Sequence, residues 1–145
     1  MTANAADTLL LVEDDAVFRA ALGRALTHRG FHVVEAGTVA EALTQARRSA
    51  PGNAVLDLRL PDGSGLDLLG ELLRIAPALR AVILTGWGSI ATAMQAVRLG
   101  AVDFLAKPVG RETLFEALQR ALALDAAGRA DRAEASRLRA RFANL

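Results

Sequence analysis

Six polar residues stand at the ends of short apolar runs, where they could act on one substrate together. Glu13, Asp14 and Asp15 close the run TLLLV, Asp57 closes NAVL, Thr85 closes AVIL, and Lys107 follows FLA. Asp14, Asp15 and Asp57 would gather three formal negative charges, which is tolerable only where a proton, a lysine or a metal compensates. Lys107 supplies one positive charge and a divalent ion two, and an all-oxygen site of a few carboxylates and waters suits Mg²⁺. The chemistry such a set supports is phosphoryl transfer: a carboxylate attacks phosphorus, the metal orients it and screens its charge, and lysine and a hydroxyl neutralise the transferred oxygens. Glu13 receives no role here beyond ending its strand. Lys107 is the only lysine among the 17 basic residues, and a compact ammonium, unlike a guanidinium fork, fits between carboxylates and a phosphoryl group.

The elements that must position these residues follow from the apolar pattern. Runs at 8–13, 31–35, 53–58, 81–85 and 101–105 read as strands, each bounded by turn residues or charge. Between and after them, apolar stripes of helical period run through Phe18, Leu22 and Leu26; Val39, Ala42 and Ala46; Leu69, Leu72 and Leu73; Ile90, Met94 and Val97; and Leu114, Leu118, Ala121 and Leu122. The last helix is predicted over 112–127. Strictly alternating strands and helices imply an α/β fold, a parallel sheet covered on both faces. Right-handed crossovers make the sheet doubly wound and bring function to the carboxyl ends of its strands. That is the edge where the six polar residues fall.

Composition narrows the classes. The 145 residues carry a net charge of +1, 52% hydrophobic residues and no cysteine. That profile fits one domain with a full core and excludes disulfides, thiolate metal sites and thiol nucleophiles. No basic n-region with an apolar core begins the chain, and no apolar run is long enough to span a bilayer, so a cytoplasmic location is expected. The basic surplus lies at the end: residues 129–145 hold five arginines against Asp131 and Glu134.

Four spaced motifs carry a family resemblance: the acidic pair Asp14-Asp15, VLDLRLPDGSGL around Asp57, LTGWGS around Thr85, and FLAKP around Phe104, Lys107 and Pro108. Over about residues 8–124 the chain resembles the receiver domain of bacterial two-component response regulators, and within that family the RegA/PrrA type of redox-responsive regulator. The resemblance implies a CheY-like, flavodoxin-like (βα)5 sheet of strand order 2-1-3-4-5. It implies phosphorylation of Asp57 by a sensor histidine kinase, with Mg²⁺ held by Asp15, Asp57 and the backbone carbonyl of Arg59, and Asp14 holding a metal-bound water. It further implies that Thr85 and Lys107 bind the phosphoryl oxygens, that Phe104 is a switch aromatic coupled to Thr85, and that the Lys107-Pro108 bond is cis. The chain is then a phosphoacceptor switch rather than an enzyme with a separate substrate.

Arg59 and Trp87, each two positions beyond a site residue, are large side chains expected to hinder the water that hydrolyses the acyl phosphate. Arg59 also argues against the rival reading, a Mg²⁺-dependent aspartyl phosphatase, which needs a second aspartate there as general acid, a proton Arg cannot supply. A flavin carrier of similar fold lacks support for want of a Ser/Thr-rich phosphate loop after the first strand. His28 and His32 flank a turn remote from the acidic edge and carry no metal role. The segments Gly63-Ser64-Gly65 and Gly86-Trp87-Gly88 complete neither a GxGxxG nor a GK[ST] pattern and read as turns.

The expected organisation is a flexible start over 1–7, a receiver domain over 8–127 and a basic amphipathic tail over 128–145. In the tail, Ala135, Leu138, Phe142 and Leu145 follow 3-4-3 spacing, and a helix this short needs a partner for its stripe. A homodimer through that tail, or through the face of the fourth helix, fifth strand and fifth helix, is the expected assembly. No DNA-binding module is expected within these residues, because a helix-turn-helix unit needs more chain than follows Gly128. Transcriptional output through a part absent from this chain and action by protein contact alone both stay open.

Overall fold

The apolar runs pair in the order that the family resemblance implies. A computed structural model of the chain describes residues 8–86, 90–107 and 110–126. Its elements are β1 (Thr8–Val12), α1 (Ala16–His28), β2 (His32–Ala36), α2 (Val39–Ser49), β3 (Asn53–Asp57), β4 (Arg59–Leu60), β5 (Gly63–Ser64), α3 (Gly65–Ile75), β6 (Arg80–Thr85), α4 (Ile90–Leu99), β7 (Asp103–Ala106) and α5 (Arg111–Ala126). The main sheet is parallel throughout, in the order β2-β1-β3-β6-β7. Once the two-residue ribbon β4–β5 is set aside, this is 2-1-3-4-5. Strand limits differ from the sequence expectation by one or two residues.

Period-two alternation divides the core between the two faces of the sheet. Leu10, Val12, Ala54, Leu56, Ala81 and Ile83 join buried residues of α2, α3 and α4 in one layer. Leu9, Leu11, Val55, Val82 and Leu84 join Leu22 and Leu26 of α1 and Leu114 and Leu118 of α5 in the other. Both faces are covered, which is why the strands read as unbroken apolar runs. Each fully buried leucine contributes about 2 kcal/mol of transfer free energy.

One helix turns differently from the expected stripe. α4 buries Ala93 and Ala96 against the sheet, while Met94 and Val97 are 48% and 39% exposed. The two candidate stripes are one residue apart, about 100° around the helix. The alanines let the backbone lie close on the sheet, and the longer side chains face outward.

The helix starts explain where the turns lie. Asp15 caps α1, its carboxylate accepting from the Val17 and Phe18 amides at 3.0 and 3.1 Å. Thr38 caps α2 by accepting from the Glu41 amide, and the Glu41 carboxylate accepts from the amide of Gly37, the residue before the cap. Ser64 caps α3 by accepting from the Leu66 amide at 3.1 Å. Gly65 must be glycine: a Cβ there would stand 2.1 Å from the Asp57 carbonyl oxygen.

Candidate functional site

The register of the central strands builds the site. β1 and β3 pair Val12 with Leu56, so the next residues, Glu13 and Asp57, come side by side at the carboxyl edge. β6 and β7 pair Thr85 with Ala106, which puts Lys107 one residue past the end of the last strand. Its ammonium reaches back to donate to Glu13 Oε1 at 2.6 Å and to Asp57 Oδ2 at 3.0 Å. The other Asp57 oxygen accepts from the Arg59 amide at 3.3 Å. The Phe18 ring lies 5.4 Å from the Lys107 Nζ, within range of a cation–π contact.

Carboxylate oxygens of Glu13, Asp14 and Asp57 all lie within 4.8 Å of one another. Glu13 is fully buried, Asp57 is buried at 6% exposure, and Asp14 is exposed. The set thus has two inner acids on a lysine and one outer acid open to solvent. Burial pushes the Glu13 carboxyl up to about 7, against the lowering effect of its hydrogen bond to Lys107, and the neighbouring Asp57 adds to the rise. Burial also acts to lower Lys107, but its hydrogen bonds to Glu13 and Asp57, with their charges, outweigh it and leave the ammonium raised. With all three carboxyls ionised, the set and the ammonium leave two negative charges, which a divalent cation would balance, and hard oxygen donors suit Mg²⁺.

The acidic loop is held from behind by α1. Arg19 donates through Nη1 to the Glu13 carbonyl oxygen and through Nε to Glu35 Oε1 at 3.2 Å. The Glu13 amide continues the sheet by donating to the Ala36 carbonyl at 3.0 Å. Glu13 Oε2 accepts from the Asp15 amide at 3.2 Å.

Measured against the sequence expectation, Asp57, Asp14 and Lys107 come together, and Asp15 does not join them. The Asp15 carboxylate is engaged in the α1 cap, so the acid that replaces it in the cluster is Glu13. A period-two count could have found this: Glu13 is two residues past Leu11 and Asp57 two past Val55, and Leu11 pairs with Val55. Arg59 sits on β4 with an exposed side chain. Phe104 is half-buried and packs against the layer under α2, α3 and α4. Thr85 ends β6, but its side chain, like Trp87, Pro108 with its expected cis bond, residues 1–7 and the tail, lies outside the described residues.

Residues 9–119 match the family model described as the response regulator receiver domain. The chain belongs to that family. The receiver resembles the acid tolerance regulatory protein ActR of Rhizobium meliloti, 47% identical over 111 residues that cover 77% of this chain and 57% of ActR. It also resembles the photosynthetic apparatus regulatory protein RegA of Rhodobacter capsulatus, 45% identical over 111 residues, 77% of this chain and 60% of RegA. The chain thus spans less than two thirds of the length of these relatives. A receiver domain protein from Clostridium thermocellum superposes with a TM-score of 0.79 at 27% identity, over 83% of this chain and 97% of that one. A response regulator from Burkholderia pseudomallei, solved with a phosphorylated aspartic acid, a calcium ion and citrate, superposes with a TM-score of 0.73 at 39% identity, over 83% and 71% of the two chains. The RegA-type resemblance and the CheY-like fold expected from the sequence both stand.

Proposed function

We propose that Asp57 is the phosphoacceptor of a two-component signalling switch and that a sensor histidine kinase is the donor. The observation that carries this reading is the Asp57 carboxylate, buried at a strand end, bonded to Lys107 at 3.0 Å and flanked by Glu13 and Asp14. In the transfer, a carboxylate oxygen of Asp57 forms the new P–O bond as the P–N bond to the kinase histidine breaks, and the imidazole leaves. Lys107 stands where it can neutralise a phosphoryl oxygen, and Thr85 at the end of β6 is the hydroxyl assigned to another. Glu13, Asp14, Asp57 and the Arg59 carbonyl are the oxygens that would hold Mg²⁺, with Glu13 taking the place the resemblance implied for Asp15. When bound, Mg²⁺ orients the phosphoryl group and screens its charge against the carboxylates.

The switch reading assigns Phe104 the aromatic that repacks with Thr85, shifting a two-state equilibrium on the face of α4, β7 and α5. Its side chain is only half-buried and the adjacent α4 exposes Met94 and Val97, so this face has apolar surface to offer a partner or a second copy. Because a further relative over this region, 38% identical over 114 residues, is the transcriptional regulatory protein GlrR of Escherichia coli, we assign the output to transcription control in the cytoplasm. Arg59 and Trp87 are assigned to slowing hydrolysis of the acyl phosphate. Arg59→Asn and Trp87→Ala should each lose phosphate faster than wild type, and unchanged rates would remove this role.

The test of the site is intact mass after incubation with a small-molecule phosphodonor and Mg²⁺. Wild type should gain one phosphoryl group and Asp57→Asn none; a group retained by Asp57→Asn would refute the assignment. Lys107→Arg keeps the charge but not the compact ammonium, so it should accept phosphate yet fail to transmit the change to the α4–β7–α5 face. Amide exchange on that face, with and without phosphodonor, reads this directly.

A further inference from the structure

The turn that follows the phosphoacceptor is tied to a helix remote in sequence. Asp62, at the tip of the β4–β5 ribbon, accepts from the Val39 amide at 2.7 Å with one carboxylate oxygen and from the Ala40 amide at 3.1 Å with the other. α2 already has its own cap, since Thr38 takes the Glu41 amide and Glu41 the Gly37 amide. The Asp62 contact therefore takes up two further first-turn amides and fastens the ribbon to the helix. Side-chain packing supports the same docking: a Cβ at Gly63 would lie 3.2 Å from Val39 Cγ2, so ribbon and helix are in close contact there. The two backbone hydrogen bonds hold the Asp62 carboxyl below its usual range.

We propose that Asp62 is a positioning residue: by clamping the ribbon tip on the start of α2, it fixes the backbone of Arg59, whose carbonyl the site reading assigns to the metal. This inference rests on that reading. The base of the ribbon is fixed separately, because the Gly65 amide donates to the Leu58 carbonyl at 2.8 Å. Arg59 pairs with Ser64 and Leu60 with Gly63, so Arg59 lies between the anchored base and the anchored tip. Freeing the tip leaves the base, the Ser64 pairing and the Arg59 amide contact to Asp57 at 3.3 Å to set where the Arg59 carbonyl points, and removes the hydrogen-bonded tie to α2.

The experiment is calorimetric titration of the full chain with Mg²⁺, paired with amide hydrogen exchange of the metal-free protein. Asp62→Ala should weaken Mg²⁺ binding by about tenfold, the lower end of what loss of a supporting partner costs a metal site. It should also speed exchange over 59–64 and at Val39 and Ala40. Asp62→Asn keeps one acceptor oxygen and should recover part of the affinity. Thr38→Ala weakens the local cap of α2 but leaves Asp62 in place, so it should leave Mg²⁺ affinity unchanged. Equal weakening by Thr38→Ala would reduce the effect to helix stability and overturn the inference, as would wild-type affinity in a folded Asp62→Ala chain. Absence of Mg²⁺ binding by the wild type would overturn the site reading itself and this inference with it.

Discussion

The turns after β1 and after β3 use their acids in the same way but over different distances along the chain. Each presents one buried carboxylate to Lys107, Glu13 in the first and Asp57 in the second. Each also uses a second carboxylate to hold a helix start. Asp15 caps the helix that follows it, two and three residues on. Asp62 binds amides 23 and 22 residues back, at the start of α2. The helix cap of the first turn is therefore local, with Arg19 of α1 and the Ala36 carbonyl of β2 holding Glu13 besides, whereas the second turn is braced by its own base and by a helix it does not lead into. A site made of one turn of each kind has a fixed half and a half that can be loosened from a distance.

Two substitutions separate the halves most strongly. Gly65→Ala would set a Cβ 2.1 Å from the Asp57 carbonyl oxygen and 2.8 Å from the Leu58 Cα, both backbone atoms that cannot swing away. The β3 turn must then move, and the expected loss is about 3 kcal/mol or more, measured by urea unfolding. A loss under about 1 kcal/mol would show the base of this turn to be softer than its contacts indicate. Glu13→Gln probes the β1 turn through pH. The wild-type carboxyl is raised from 4.5 to about 7, chiefly by burial, so between those values the folded chain binds more proton than the unfolded one. Stability of the metal-free protein from this group is present below pH 4.5 and falls as pH rises toward 7, with a slope of at most about 1.4 kcal/mol per pH unit. Glutamine has no such titration, so the melting temperature of the variant relative to wild type should climb across that window. A constant difference would show that Lys107 already holds Glu13 ionised throughout it.

The same contrast explains what was legible in the sequence. The five strands and their parallel arrangement could be inferred because burial on both faces writes continuous apolar runs, whereas their order came only with the family resemblance that the motifs at their ends carry. Asp57 and Lys107 were legible for the same reason: each follows its run directly. Which of Glu13 and Asp15 faces Asp57 is not legible in the sequence, because three acids in a row differ only in where the strand stops and the helix cap begins. That boundary falls between Val12 and Ala16, and a small change of register exchanges a buried acid for a cap. The outward turn of α4 was hidden by its two overlapping apolar stripes. Asp62 was unreadable in a stronger sense, since nothing near it in the chain signals the Val39 and Ala40 amides it binds.

The smallest effect tests whether the fixed half is as local as it looks. Asp15→Ala removes the acceptor for two α1 amides, and a lost cap of this kind costs about 1 kcal/mol. The Glu13 side chain loses no partner, because it accepts from the Asp15 backbone amide, which alanine retains. Glu13 also keeps its hold through its own amide on Ala36 and through Arg19 on its carbonyl. Asp15→Ala should therefore lower the urea midpoint modestly while leaving Mg²⁺ affinity near the wild-type value. A drop in affinity as large as that of Asp14→Ala would return Asp15 to the metal site and show that this local cap, like the Asp62 contact, bears on the ligands beside it.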